Sequence, residues 1–231
     1  TVLNSEINDI DIKQRRISYT CNNHDSKIYY DYLLFCTDPL TTSKILYDNS
    51  SYVEKKNYLG SSGKLTMFFK KPVEWKKEKA LETAFRFVFS QDTLDGLNDS
   101  GQMALNSQNN YTPGYIQIYP DGAAQRKLKN YENFGKIICF TKNFSFNKNS
   151  DDLIYAEQNI IEKISKLISN PEDLLGTKFI TPKDLNEVFF FPKGNIDHLA
   201  MDGSQNFEKR TFSSDPKNNF YNYSNYENIF C

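Results

Sequence analysis

Two periodicities run through the chain. Alternation at period two marks half-buried strands, and apolar residues at three- and four-residue spacing mark amphipathic helices. The cleanest alternation is Tyr115-Ile-Gln-Ile-Tyr119, closed by Pro120-Asp121-Gly122. Lys64 to Phe69 and Lys136 to Phe140 read as two more strands, and Phe144 and Phe146 continue the alternation of the second. Arg15 to Cys21 and Ser26 to Thr37 read as a hairpin around the turn cluster Asn22-Asn23-His24-Asp25, with Asp38-Pro39 as its end. Val188 to Phe191 is a dense apolar run that reads as a core strand, opened by a turn at Thr181-Pro-Lys-Asp184. Pro192 to Gly194 then forms a turn that leads to His198.

Two segments carry the helical period. Pro72 opens the first, because the N–H it lacks has no partner in a first turn anyway. Val73, Leu81, Ala84, Phe85 and Val88 then recur at helical spacing, which predicts a helix over 73–90 with Glu82 and Arg86 as an i,i+4 surface pair. In the second, Leu153, Ile154, Ile160, Ile161, Ile164, Leu167 and Ile168 make one stripe between a cap at Ser150 or Asp151 and a stop at Asn170-Pro171, which predicts a helix over 152–169. Short helices are expected after Asn4 or Ser5 and over 171–175, and a long polar, Gly-containing loop over 91–110 that has room for a short helix. Strands and helices do not alternate strictly, so the expected class is α+β, mostly antiparallel sheet with these two main helices. No low-complexity linker or internal repeat interrupts the 231 residues. One domain over 1–231 is therefore expected, with an aromatic, polar C-terminal segment over 204–231.

Composition adds a surplus of rings: aromatic residues are 15% of the chain, enough to supply both a core and a contact surface. The net charge of −1 steers no partner as a whole, but local charge is uneven. Arg126, Lys127, Lys129, Lys136, Lys142 and Lys148 stand against Glu132 alone, interleaved with Tyr131, Phe134, Phe140, Phe144 and Phe146. Basic groups contact phosphates and rings stack on unpaired bases, so this segment is a candidate RNA surface with Lys127, Lys129, Lys136 and Lys142 as phosphate contacts. The alternative is a half-buried strand with its rings inward and its lysines in water.

No run reaches the roughly 18 apolar residues of a membrane span. The chain begins at Thr1, as either a processed mature chain or a trimmed one would, and shows no signal peptide, as a mature secreted chain also would. Cys21, Cys36, Cys139 and Cys231 form no CxxC or Cys/His cluster, so neither a metal nor a cofactor is expected. Cys139 lies in an apolar strand and reads as a buried thiol. Cys21 and Cys36 flank the hairpin and suit a bridge, and the terminal Cys231 suits a tether to another chain. P-loop, GxGxxG, HExxH and GxSxG patterns do not occur, which disfavours nucleotide hydrolysis, dinucleotide, zinc-protease and serine-esterase chemistry.

Histidine is scarce, with only His24 and His198. A carboxylate and an imidazole across a phosphodiester cleave RNA without metal: one takes the 2′-OH proton and the other protonates the leaving 5′-oxygen. Glu6 and His198 are the candidates for that pair, and Arg126 or Arg210 for stabilising the phosphorane charge. The layout of Glu6 near the start, His198 in the last fifth and Cys231 at the end resembles the toxic subunit of zymocin-type yeast killer toxins. That resemblance implies a secreted anticodon ribonuclease acting on tRNA by metal-independent transesterification, with Glu6 as base and His198 as acid. It also implies a carrier subunit bound through Cys231. The other class the sequence admits is a non-catalytic secreted binding or host-interaction module, with the Tyr/Phe-rich tail as its contact surface.

Overall fold

A computed structural model describes residues 2–47, 59–76, 84–89, 93–106, 113–120, 133–144, 150–197, 215, 217–219, 221–223 and 226–230. In chain order the elements begin with β1 (Ser5–Asp11), β2 (Arg16–Cys21), β3 (His24–Tyr29), β4 (Leu33–Leu34), α1 (Pro39–Tyr47), β5 (Gly63–Phe69) and β6 (Arg86–Phe89). They continue with α2 (Leu94–Leu105), β7 (Tyr115–Tyr119), β8 (Gly135–Lys142), α3 (Ser150–Ser165), β9 (Leu174–Ile180), α4 (Pro182–Glu187) and β10 (Ile229–Phe230). The class is α+β, and the larger sheets are antiparallel. The chain separates into two compact units, one of Thr1–Asn57 with Asp197–Cys231 and one of Tyr58–Ile196.

In the first unit β1, β2 and β3 form an antiparallel meander. The β2–β3 loop is two residues, Asn22 and Asn23, at φ 49° and 65°. Positive φ at both loop positions is the type I′ geometry whose twist matches the flanking strands, and asparagine tolerates it. The turn is thus tighter than the four-residue cluster in the sequence, and His24 and Asp25 lie in β3. Residues expected as a short helix are β1 instead, paired with β2 from Ser5↔Cys21 to Asp11↔Arg16 with a register shift between Ile7 and Asp9. Asn and Asp are poor helix formers and a helix this short is marginal, whereas the ladder satisfies the backbone at once. Ile10, Phe35, Tyr223 and Ile229 form the buried core of this unit, and β10 pairs in parallel with β4. The described part of the aromatic tail supplies a core ring, Tyr223, and the strand β10, while Tyr221 is exposed.

The second unit is built on a five-stranded sheet in the order β6-β7-β8-β5-β9, every neighbouring pair antiparallel. Leu65, Met67 and Phe69 of β5, Ile116 and Ile118 of β7, and Ile137 and Cys139 of β8 pack against Ile160 and Ile164 of α3. Burying each large aliphatic side chain contributes about 1.5–3 kcal/mol. The strands expected at 64–69, 115–119 and 136–140 are all present, as is the helix expected from about 152. That helix ends at Ser165 rather than 169, because the chain beyond it bonds sideways to the segment around Trp75. Ser169 N–H donates to Glu74 O, Lys76 N–H to Leu167 O, and the Asn170 amide bonds both Glu74 N–H and Pro72 O.

The helix expected over 73–90 is not formed where the chain is described. Trp75 makes an antiparallel bridge to Ile168, and Arg86–Phe89 is the edge strand β6; residues 77–83 lie outside the described residues. Phe85-Arg-Phe-Val-Phe89 alternates at period two with strand-forming types, and pairing with β7 overrides the helical spacing. Arg86 places its guanidinium 3.9 Å from the Trp75 ring centroid, a cation–π contact; Glu82, its expected surface partner, lies outside the described residues.

The segment expected as a turn at 181–184 opens α4. Thr181 and Asp184 cap each other's backbone reciprocally and Pro182 starts the first turn. Leu185 fills the core position, so Val188, Phe189 and Phe190 are exposed and form no core strand. Phe190 stands at φ 59° and is 80% exposed. Pro192–Gly194 is a tight turn, as expected. Gly194 has φ +68°, and a Cβ there would lie 1.9 Å from the Pro182 carbonyl oxygen, so the turn accepts only glycine. Cys21, Cys36 and Cys139 are free thiols, so the bridge expected between Cys21 and Cys36 is not formed.

Candidate functional site

One face of the five-stranded sheet lies on α3; the other is open. Alternation along each strand decides which residues stand on it. Read across the register, Phe89, Tyr115 and Lys142 form one row, and Phe87, Gln117, Phe140, Lys64 and Ile180 the next. Tyr119, Ile138, Thr66 and Lys178 form a third row, and Lys136, Phe68 and Gly176 a fourth. Rows two residues apart are separated by roughly 6.7 Å along the strands. The open face is therefore aromatic toward β6 and β7, with one lysine in every row.

The rings support one another. Phe85 lies 4.6 Å from both Phe87 and Tyr119, Phe87 stacks on Phe89 at 6.0 Å, and Tyr119 meets Phe140 edge-on at 5.5 Å. They stay accessible all the same: Phe87 is 49%, Phe89 56% and Tyr119 41% exposed. Lys64 holds its ammonium 5.7 Å from the Phe140 centroid, and Lys142 donates to Ser62 Oγ at 3.0 Å. The described open-face positions include Lys64, Lys136, Lys142 and Lys178 and no Asp or Glu. An apolar, ring-rich surface of this kind with a lysine in each row suits a ligand that combines flat rings with negative groups.

Lys136 and Lys142 are the two sequence-predicted residues that reach this surface, and Phe140 lies between them on the same face. The residues that point inward from β8 are Ile137, Cys139 and Thr141, so Phe140 does not join the core as a half-buried strand with inward rings would require. Phe144, by contrast, is fully buried against Phe179. Glu6 is exposed on β1 opposite Thr20, whose hydroxyl donates to Asp25 at 2.7 Å and accepts from Asn8 at 2.8 Å. His24 is exposed on β3 opposite Cys21. His198, Arg126, Arg210, Lys127, Lys129 and Cys231 lie outside the described residues, so the proposed Glu6–His198 pair is not brought together by anything described. The rings of β6 were missed in the sequence because helical spacing took precedence there; the period-two run Phe85, Phe87, Phe89 was the signal that marked them.

Four described titratable groups are held away from their ordinary values: burial raises Tyr30, the hydrogen bond from Lys166 lowers Glu162, and Cys139 and Asp173 are the other two. Burial pushes the Cys139 thiol up to about 12, which keeps it neutral. The Asp173 carboxyl is held low, chiefly by its hydrogen bond from Lys70 at 3.0 Å and further by Asn170 and Lys71, against the opposing effect of burial. Cys139 and Asp173 belong to the frame of the sheet rather than to its open face. Among the described residues no group of three His, Cys, Asp or Glu side chains is placed to hold a metal ion. Among them, too, no helix is long and apolar enough to cross a membrane.

No protein-family model matches the chain, and no curated protein matches it. Among solved structures it is similar to reduced UDP-galactopyranose mutase, with 16% identity and a TM-score of 0.43 over 76% of this chain and 34% of that one. The chain thus spans about a third of that structure's length. At that score the overlap assigns neither fold nor activity.

Proposed function

We propose that this chain is a binding module for nucleotide-class ligands, flat rings joined to phosphates, and that the open sheet face is its working surface. The observation that supports this is the co-location of Phe87, Phe89, Tyr115, Tyr119 and Phe140 with Lys64, Lys136, Lys142 and Lys178 on one face without a described carboxylate. Stacking of a base on an aromatic side chain is worth about 1–3 kcal/mol. Lysines add a phosphate term that weakens with salt. Single-stranded RNA and a free dinucleotide present the same chemistry. Titrating a labelled octanucleotide and a fluorescent dinucleotide against the protein at two salt concentrations separates them. Affinity that grows with strand length and falls steeply with salt identifies RNA; one-to-one binding of the dinucleotide without that growth identifies the small ligand. In either case the Phe87→Ala/Tyr119→Ala double variant loses about tenfold or more, and Lys64→Ala makes the salt dependence of RNA binding shallower by about 0.7 in log–log slope. Binding of neither probe, or binding unchanged in the double variant, removes the proposal.

A second reading keeps the cleaving enzyme. Glu6 is exposed on β1, open to a substrate as a general base must be. In this reading Glu6 and His198 cut tRNA in a secreted toxin subunit, with Arg126 or Arg210 on the phosphate and Cys231 joined to a carrier. Incubation with total tRNA in EDTA tests it. Fragments ending in 2′,3′-cyclic phosphate that disappear with Glu6→Gln support it, and intact tRNA after long incubation removes it.

A further inference from the structure

We infer that a single strand of nucleic acid lies along the strands of the open sheet face, one nucleotide to a row. Its phosphates follow β8 and β5 and its bases lie over β6 and β7; this rests on the nucleotide-binding reading above. Rings and cations are sorted across the face. Phe87 and Phe89 stand on β6 and Tyr115 and Tyr119 on β7, with Phe85 just before β6. Lys136 and Lys142 stand on β8, Lys64 on β5 and Lys178 on β9, and Phe140 of β8 borders the two groups. Two ammoniums reach the same seam from opposite sides. Lys142, rooted on β8, donates to Ser62 Oγ at 3.0 Å, just before β5 begins. Lys64, rooted on β5, leans back over the Phe140 ring of β8 at 5.7 Å. They do so in successive rows.

The first three rows each pair a ring of β6 or β7 with a lysine: Phe89 and Tyr115 with Lys142, Phe87 with Lys64, and Tyr119 with Lys178. A row is two residues of strand, roughly 6.7 Å. A nucleotide has as many backbone bonds between successive phosphorus atoms as two residues have along the main chain. Extended, the two chains therefore repeat at a similar length. A nucleic acid laid across the strands would carry its phosphates off the seam and over β7 and β6, where the described open-face positions hold no cation. Cations spread along a track follow the backbone of a polyanion. The adjacent charges of a pyrophosphate-linked dinucleotide would need them gathered instead.

Thermodynamic cycles between protein and ligand test this. Triuridylate phosphorylated at both ends, either intact or with its first or its last base replaced by hydrogen, is titrated by NMR against the wild type, Phe89→Ala and Tyr119→Ala. Thermal unfolding controls for folding, and Phe89→Leu or Tyr119→Leu, which keep apolar bulk without the ring, replace an alanine variant that does not fold. Each substitution should weaken binding of the intact trimer about fivefold or more. Removing the base at one end should cancel the effect of Phe89→Ala and leave that of Tyr119→Ala; removing it at the other end should do the reverse. One and the same end cancelling both effects, as in a chain that crosses the strands, overturns the inference and leaves the binding module standing. So do cycles in which neither end couples to either ring, and so does binding of octauridylate without binding of the trimer. Failure of the wild type to bind the trimer or octauridylate overturns the binding module itself, and the track with it.

Discussion

Along β7, Ile116 and Ile118 point toward α3 and are fully buried, while Tyr115, Gln117 and Tyr119 point the other way and stay open. The same contrast repeats on β8 between Ile137 or Cys139 and Phe140 or Lys142. Both faces are rich in apolar surface, so hydrophobicity does not distinguish them. What does is the lysine in each open row and the cluster of rings over β6, β7 and β8, against a covered face that is mostly aliphatic. Branched aliphatic side chains interlock with a helix and leave no polar tip unsatisfied, whereas rings and ammoniums remain useful in water. A slip of one residue in the register would exchange the two faces, so the pairing of β5 to β8 is what keeps them distinct.

The largest effect separating the faces should come from the covered one. Ile164→Ala removes a fully buried side chain from between α3 and the sheet, and about 2–5 kcal/mol of stability should go with it in chemical denaturation. A loss below about 1 kcal/mol would mean α3 does not carry the core as described. Acid should act next, at the loop that frames the sheet. Because Lys70 holds the folded Asp173 carboxyl below its ordinary range, its contribution is fully present above the unfolded value and lost as pH falls through the folded one. Asp173→Asn should therefore flatten the acid limb of the stability–pH curve, and a parallel curve would show that the ion pair plays no part. The smallest effect on stability belongs to the open face. Phe87→Ala should cost no more than about 1 kcal/mol there while weakening ligand binding, since cross-strand pairs contribute only that much. A large loss of stability would recast Phe87 as core.

Much of this was legible in the chain. The strands at 64–69, 115–119 and 136–140 alternate in the sequence, and the Ile-rich stripe of α3 is plain there. What failed were segments in which local spacing and tertiary pairing disagree. Phe85 and Val88 fit a helix and Phe85, Phe87 and Phe89 fit a strand; only the presence of β7 alongside decides between them. Val188 to Phe190 looked like core by composition, but α4 had already delivered Leu185 to that position and the chain turned outward after it. The open face was only half legible. Lys136, Phe140 and Lys142 declare themselves within one strand, but their neighbours Lys64, Gln117 and Phe87 come from three others and meet them only through register. No spacing rule within a single sequence encodes which strand lies beside which.

Cys139 offers a clock for that register. Its sulfur is fully buried at the centre of β8 and stays protonated to about 12, so the folded protein gives an alkylating reagent neither access nor thiolate. Each modification of this thiol must wait for the sheet to part, while the exposed Cys36 reacts from the start. With reclosing faster than labelling, the ratio of the two rates is the fraction of time β8 spends away from its neighbours. A ligand seated across the open face would have to lengthen that interval by the factor its concentration and dissociation constant set. A silent atom on the covered side would thus register, in seconds or hours, what the opposite side has bound.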